Sequence, residues 1–489
     1  MEHDSNTAVS HLLTIGGDER IVPAHADGTN KYFSSPFPRK TVTYASSTAN
    51  DISGAAFDHL GAFVAQHGIT PDMDGADYAR HLGAARSRLT AAYSLPAGTD
   101  IAFSASGTDL EYIALQAFAG RAPGGIHNVL LGADEVGSGC ILSAHGQYFA
   151  AQTALGIATA KGTPVPGLAP VSLTEISVRN GFGDAFDSGL IVAGMRSEIE
   201  RALANDQFPL LHVVHGSKTG LILPHLDDID SLIAQYGNRI GFVVDACQAR
   251  ITSAAIAAYL ARGAVVLLTG SKFMGGAPFS GFALVPQAVA AQIAPLGAGM
   301  ATIFRRAELP AGWPGAEQLP NGGNAGLTVR LEAALFELER FQALAFSDVA
   351  QIIELFRAAS LQLVERIGGT RVLPYPVGDR EQAGSHPIEM RTLTTIDLSA
   401  EGRAIDFEGA TAIQMEMMRG AVRLGQPVKC ARFQGLDMAG KVRGTLRVGI
   451  SMPQIVTLVG LTGEEAGQAL AHDMDTIVRA FDSALLAIG

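Results

Sequence analysis

Two residues near the middle of this 489-residue chain are of types that could do chemistry together, Asp245 and Lys272. Asp245 closes the apolar run G-F-V-V-D, and Lys272 follows a second run, A-V-V-L-L, in the turn T-G-S-K. The Ala-rich segment between them has helical spacing, so residues 241–281 read as strand, helix, strand. In a parallel βαβ unit both strands finish at the same sheet edge, which brings a carboxylate and an amine to one crevice. A lysine between small hydroxylated residues, facing a buried aspartate, suits a Schiff base to pyridoxal phosphate whose pyridine nitrogen the aspartate keeps protonated. That proton makes the ring an electron sink. Either residue alone is more often structural; the pairing, order and spacing carry the reading.

Stepping outward, the element upstream is F-S-A-S-G-T-D-L-E-Y over 103–112, a strand end, a small-residue turn and a helix start. Backbone N–H groups at such a helix start, aided by Ser and Thr hydroxyls, hold a phosphate without a formal positive charge. An ordinary helix cap explains the same local pattern. Further along, Phe208 begins a strand that leads into H-G-S-K-T-G, where His212 and His215 fall at i, i+3. In a strand that spacing points the two rings to opposite faces, so they do not share a metal ion.

The wording D-A-C-Q, then T-G-S-K, resembles the class V aminotransferase and cysteine desulfurase family of fold-type-I pyridoxal phosphate enzymes. The resemblance runs in order over roughly residues 45–451. It implies an α/β fold: an N-terminal arm (1–54), a large cofactor-binding domain (55–328) on a mostly parallel seven-stranded sheet, and a smaller C-terminal α/β domain (329–489). By the same resemblance Lys272 and Asp245 are catalytic, and Gly107, Thr108 and Asp109 form the phosphate loop. Gln248 and Ser217 point at the cofactor's phenolic oxygen, while Thr269 and Ser271 are phosphate ligands flanking the lysine. Asn324 reaches the neighbouring subunit's phosphate across a homodimer interface, and Arg447 takes the substrate carboxylate. Ser46, Ser47 and Thr48 match residues that line the substrate pocket in some relatives, with a helix cap as the competing account.

The sequence also departs from the family. Val136 stands where relatives put an aromatic ring or imidazole over the cofactor, and a valine packs there but moves no proton. Lys218 replaces a Glu or Ser, and Glu135, Ser138 and His145 lie nearby without an assigned role. Cys430, in V-K-C-A-R, precedes Arg447 at a separation similar to that between a desulfurase's sulfur-accepting cysteine and its substrate arginine, but without the G-H-H-C wording.

Composition sets the outer limits. Hydrophobic residues make up 47% and charged residues 17%, with 35 basic against 47 acidic side chains for a net charge of −12 and no basic run. Nucleic acid and anionic membrane are thereby disfavoured as partners. Three cysteines without CxxC spacing make neither a disulfide framework nor a zinc site. The start M-E-H-D-S-N is no signal peptide and no apolar run reaches membrane-spanning length, so the expected compartment is the cytoplasm. The leading expectation is transamination of an amino acid. The alternatives are β- or γ-elimination or replacement, including cysteine desulfuration, and a non-catalytic protein that keeps the fold for binding.

Overall fold

The apolar runs read from the sequence become the strands of one large sheet, because each is flanked by helices that bury both of its faces. A computed structural model describes residues 2–45, 47, 49–137, 139–377, 386–399, 403–433, 438 and 440–488. Ser46, Thr48 and Ser138 lie outside the described residues. The sheet runs in the order Asp100–Ser104, Gly281–Val285, Ala264–Thr269, Gly241–Asp245, Phe208–His215, Ile126–Leu131, Val171–Ile176. Five of these strands, from Ala264–Thr269 to Val171–Ile176, pair in parallel, and Gly281–Val285 is antiparallel to both of its neighbours. The two-residue strand Ile222–Leu223 pairs with Phe208–His215 off this path, so the sheet has eight strands where seven were expected.

The central strands are mostly apolar because both of their faces are covered. In Gly241–Asp245, Phe242 and Val244 enter one hydrophobic cluster while Val243 enters the other. Asp245 is the first polar side chain of that run and stands at the strand's end.

The C-terminal region carries a second, antiparallel sheet of Thr370–Val372, Leu393–Asp397 and Thr445–Gly449. Two features differ from the expected partition. The arm contributes the strand Val42–Tyr44, which pairs in parallel with Val422–Leu424 of the C-terminal region. The helix Ala325–Gln342 runs across the boundary expected after residue 328 and packs on the helices Gly54–His67 and Gly75–Tyr93 as well as on Met452–Val459. The arm also holds a helix, Glu2–Leu12, whose Val9 and Leu12 bury against Phe57, Leu60 and Val329. Two buried side chains give too weak a periodicity to register in a sequence, yet they suffice against a preformed surface.

Candidate active site

The lysine loop is built by exclusion. Gly270 N–H donates to Ser280 O (3.0 Å) and Gly276 N–H to Gly270 O (2.9 Å), which folds residues 270–280 back on themselves. A Cβ on Gly270 would lie 2.4 Å from Ala334 Cβ, and one on Gly275, where φ is +76°, would lie 2.4 Å from Pro453 Cγ. The glycines therefore let the loop wedge between the helix Ala325–Gln342 and the start of Met452–Val459. Asn50 Nδ2 donates to Lys272 O at 3.1 Å, tying the arm to the same loop.

Lys272 opens onto a cavity of about 150 Å³. Gly107, Thr108, Val136, Ser217, Asp245, Gln248, Thr269, Ser271 and Arg447 line it too, and so does Ser47 of the arm. Asp245 accepts the Cys247 N–H at Oδ1 (2.9 Å). Beneath it, His212 lies buried with Nε2 3.5 Å from Glu111 Oε2. Burial pushes the His212 imidazole down to about 4 and the Glu111 carboxyl well above its usual range, the latter raised further by the charge of Asp245. His215 instead sits by Tyr259 Oη (3.1 Å) and Glu389, so the two histidines face different partners.

At the opposite end, Ser106 Oγ donates to Asp109 Oδ2 (2.6 Å) and accepts the Asp109 N–H (3.3 Å), closing the turn before the helix Leu110–Phe118. Asp109 therefore points beneath the loop and is not among the residues lining the cavity. Its burial, with Asp18 nearby, pushes the carboxyl up to about 7. A Cβ on Gly107 would meet Thr269 Cγ2 at 2.7 Å, so the loop backbone lies directly on the strand end that leads to the lysine. Thr269 Oγ1 itself donates to Cys247 O (2.6 Å).

The third wall is organised by Glu135. Its carboxylate accepts from Arg179 Nε (3.0 Å), Ser217 Oγ (2.9 Å), Thr219 N (2.9 Å) and Thr219 Oγ1 (2.7 Å). Burial alone would raise the Glu135 carboxyl, but Arg179 and these donors outweigh it and hold the group low. Ser217 thus spends its hydroxyl proton on Glu135 and accepts the Leu221 N–H (3.1 Å). Beside it, burial first and the Arg447 charge second push the Lys218 amine down to about 8. Arg447 comes from the small sheet, opposite Thr395 in register, with Nε donating to Gln426 O (2.8 Å) and Nη1 to Lys218 O (3.4 Å). Its partners are carbonyls, and burial lowers the guanidinium to about 10.

Asn324, expected at a neighbouring subunit's phosphate, caps a helix of its own chain: its Oδ1 accepts the Leu327 N–H (2.9 Å) and its Nδ2 donates to Gly16 O (2.9 Å). Cys430 is buried in a neighbouring groove with Glu175, Arg179 and Arg432, and burial pushes its thiol up to about 12. Conversely, Arg20, Tyr32, Phe279 and Gln426 line the cavity without having been signalled by any motif. Among the described residues no cluster of His, Cys, Asp and Glu could hold a metal ion, and no helix is long and apolar enough to cross a membrane.

No family model matches this sequence, and no curated protein matches it either. Solved structures do share its fold. Pyridoxamine-pyruvate aminotransferase from Mesorhizobium loti aligns over 91% of this chain and 97% of its own, at 16% identity and a TM-score of 0.50. Ureidoglycine-glyoxylate aminotransferase from Bacillus subtilis aligns over 91% and 98%, at 13% identity and 0.50. The cysteine desulfurase CsdA from Escherichia coli aligns over 92% and 95%, at 14% identity and 0.53. At these identities the likeness establishes the fold-type-I architecture expected from the sequence, spread over nine-tenths of the chain.

Proposed function

We propose that this chain is a pyridoxal phosphate-dependent enzyme acting on an amino acid, and that it is an aminotransferase. The observation that carries the reading is the meeting of Lys272, Asp245, Gln248, the Gly107–Thr108 turn and Arg447 around one cavity, from segments far apart in sequence. The donor set fits the group: an amine, a carboxylate for a ring nitrogen, and at the far end backbone N–H groups at a helix start with the hydroxyls of Thr108 and Ser271. The backbone at Gly107 is packed against Thr269, where a side chain would clash, which holds this turn on the strand end that leads to Lys272.

Pyridoxal phosphate, when bound, supplies an electron sink for negative charge at the substrate's Cα. Lys272 would hold it through Nζ and, once displaced, take and return the Cα proton. Asp245 keeps a proton at the ring nitrogen, its own orientation held by the Cys247 N–H. Arg447, whose partners here are carbonyls, offers its fork to a carboxylate and so orients the substrate. Val136 packs against the cavity and moves no proton.

The buried, high-pKa thiol of Cys430 lies outside this cavity, which disfavours it as a sulfur acceptor and favours transamination over desulfuration. Three free, buried cysteines suit a reducing compartment such as the cytoplasm. The homodimer expected from the resemblance is part of the reading; sedimentation of fully active protein at monomer mass would overturn that part.

The test is direct. Protein reconstituted with pyridoxal phosphate should absorb as an imine, and borohydride followed by peptide mapping should place the label on Lys272. Addition of an amino acid without borohydride should convert the spectrum to the amine form of the cofactor. A label on another lysine would end the reading, and release of an elimination product or sulfide in place of the amine form would end the aminotransferase assignment.

A further inference from the structure

The arm was expected to contribute at most Ser46–Thr48 to the site, yet its earlier residues reach the phosphate end. Arg20 pairs with Asp18, Nε to Oδ1 at 2.8 Å and Nη2 to Oδ2 at 2.6 Å, and its Nη1 lies 3.4 Å from Thr108 Oγ1 on the cavity wall. The guanidinium carbon lies 4.9 Å from the ring centroid of Phe149 and 5.1 Å from that of Phe279. A flexible side chain is thus fixed by two ring contacts and by Asp18, with Nη1 at the turn that begins the helix Leu110–Phe118.

The supports of this arrangement are themselves built. Phe279 is a non-glycine residue at φ +69°, in the left-handed region that residues with a side chain rarely adopt. Arg330 holds it there: fully buried, it donates Nε to Phe279 O (2.9 Å) while Nη1 and Nη2 donate to Ile15 O (2.6 Å) and Gly16 O (3.0 Å) of the arm. Asn324 adds its bond to Gly16 O, and a Cβ on Gly326 would lie 2.0 Å from Ile15 O. One buried guanidinium therefore locks together the arm and the strained loop that hold Arg20.

We infer that Arg20 is a phosphate-binding residue supplied in cis by the N-terminal arm. This rests on the reading of the cavity as a pyridoxal phosphate site. The chemistry is that of a preorganised guanidinium offering an N–H to a phosphate oxygen alongside Thr108, with Asp18 fixing its orientation and offsetting part of its charge.

Full-length protein is stripped of cofactor, and its affinities for pyridoxal phosphate and for pyridoxal, which has the aldehyde and ring but no phosphate, are measured by absorbance. Arg20→Gln should weaken pyridoxal phosphate binding about 10- to 100-fold, the loss of one charge-assisted contact, and leave pyridoxal binding unchanged. Equal losses for both, or none for either, would overturn the role of Arg20 while leaving the cofactor assignment standing. Failure of the parent protein to bind either compound through Lys272 would overturn the cofactor assignment and this inference together. Because Arg20→Gln could loosen the arm, hydrogen exchange over residues 14–35 is measured in the parent. Slower exchange with pyridoxal phosphate than with pyridoxal is expected, and equal exchange with the two would overturn the inference.

Discussion

Asp245 stands directly opposite Leu267 on the neighbouring parallel strand, so the two strands leave the sheet at one edge and the loop that follows carries Lys272 back over the carboxylate's end of the sheet. That register is the physical form of the acid and amine pairing on which the proposed chemistry depends.

Asp245→Asn separates the structural from the chemical part of this residue. The amide oxygen can still accept the Cys247 N–H, so the melting temperature should change little. Turnover should fall by about 100-fold or more, because the neutral side chain no longer holds a proton on a ring nitrogen. Unchanged turnover would reduce Asp245 to a strand-end residue.

Arg447→Lys keeps the positive charge but removes the planar fork. Steady-state kinetics should show KM for the amino acid raised about 10- to 100-fold with a smaller change in kcat. A KM equal to the parent's would assign Arg447 to the structure of the small sheet.

Asp109 gives a pH signature. Its carboxyl, pushed up to about 7 by burial and by Asp18, binds more protons in the folded than in the unfolded chain between about pH 4 and 7. Its contribution to stability is therefore fully present below that window and lost as pH rises through it, by a few kcal/mol at most. Subtracting the denaturation midpoints of Asp109→Asn from those of the parent should expose this slope; a difference that is flat with pH would show that the carboxyl titrates normally.

Gly270→Ala places a methyl group 2.4 Å from Ala334 Cβ and 2.8 Å from Ser280 Oγ. Chemical denaturation should show a loss of about 1–3 kcal/mol, together with reduced turnover, since the same loop carries Lys272. Ala334→Gly in the same chain should recover part of both losses, and a double-mutant cycle with no coupling would contradict the contact.

What the sequence determined by itself is the chemistry that travels with local pattern. Apolar runs ending in Asp245 and in T-G-S-K, and a small-residue turn before a helix at Gly107, are contiguous signals, because a strand's burial and a helix's start each depend on a few adjacent residues. Tertiary structure alone decided which polar atoms were left free. Ser217 matched a motif, but the distant Glu135, itself held by Arg179, claims its hydroxyl proton. Asp109 matched as well, but the turn closed by Ser106 sends its side chain beneath the loop. Arg20 had no motif, since its position is set by Asp18, Phe149, Phe279 and the clamp of Arg330 on the arm. Hydrogen-bond partners and ring contacts are chosen by whichever groups come within about 3–5 Å in the folded chain, and sequence spacing does not encode that distance.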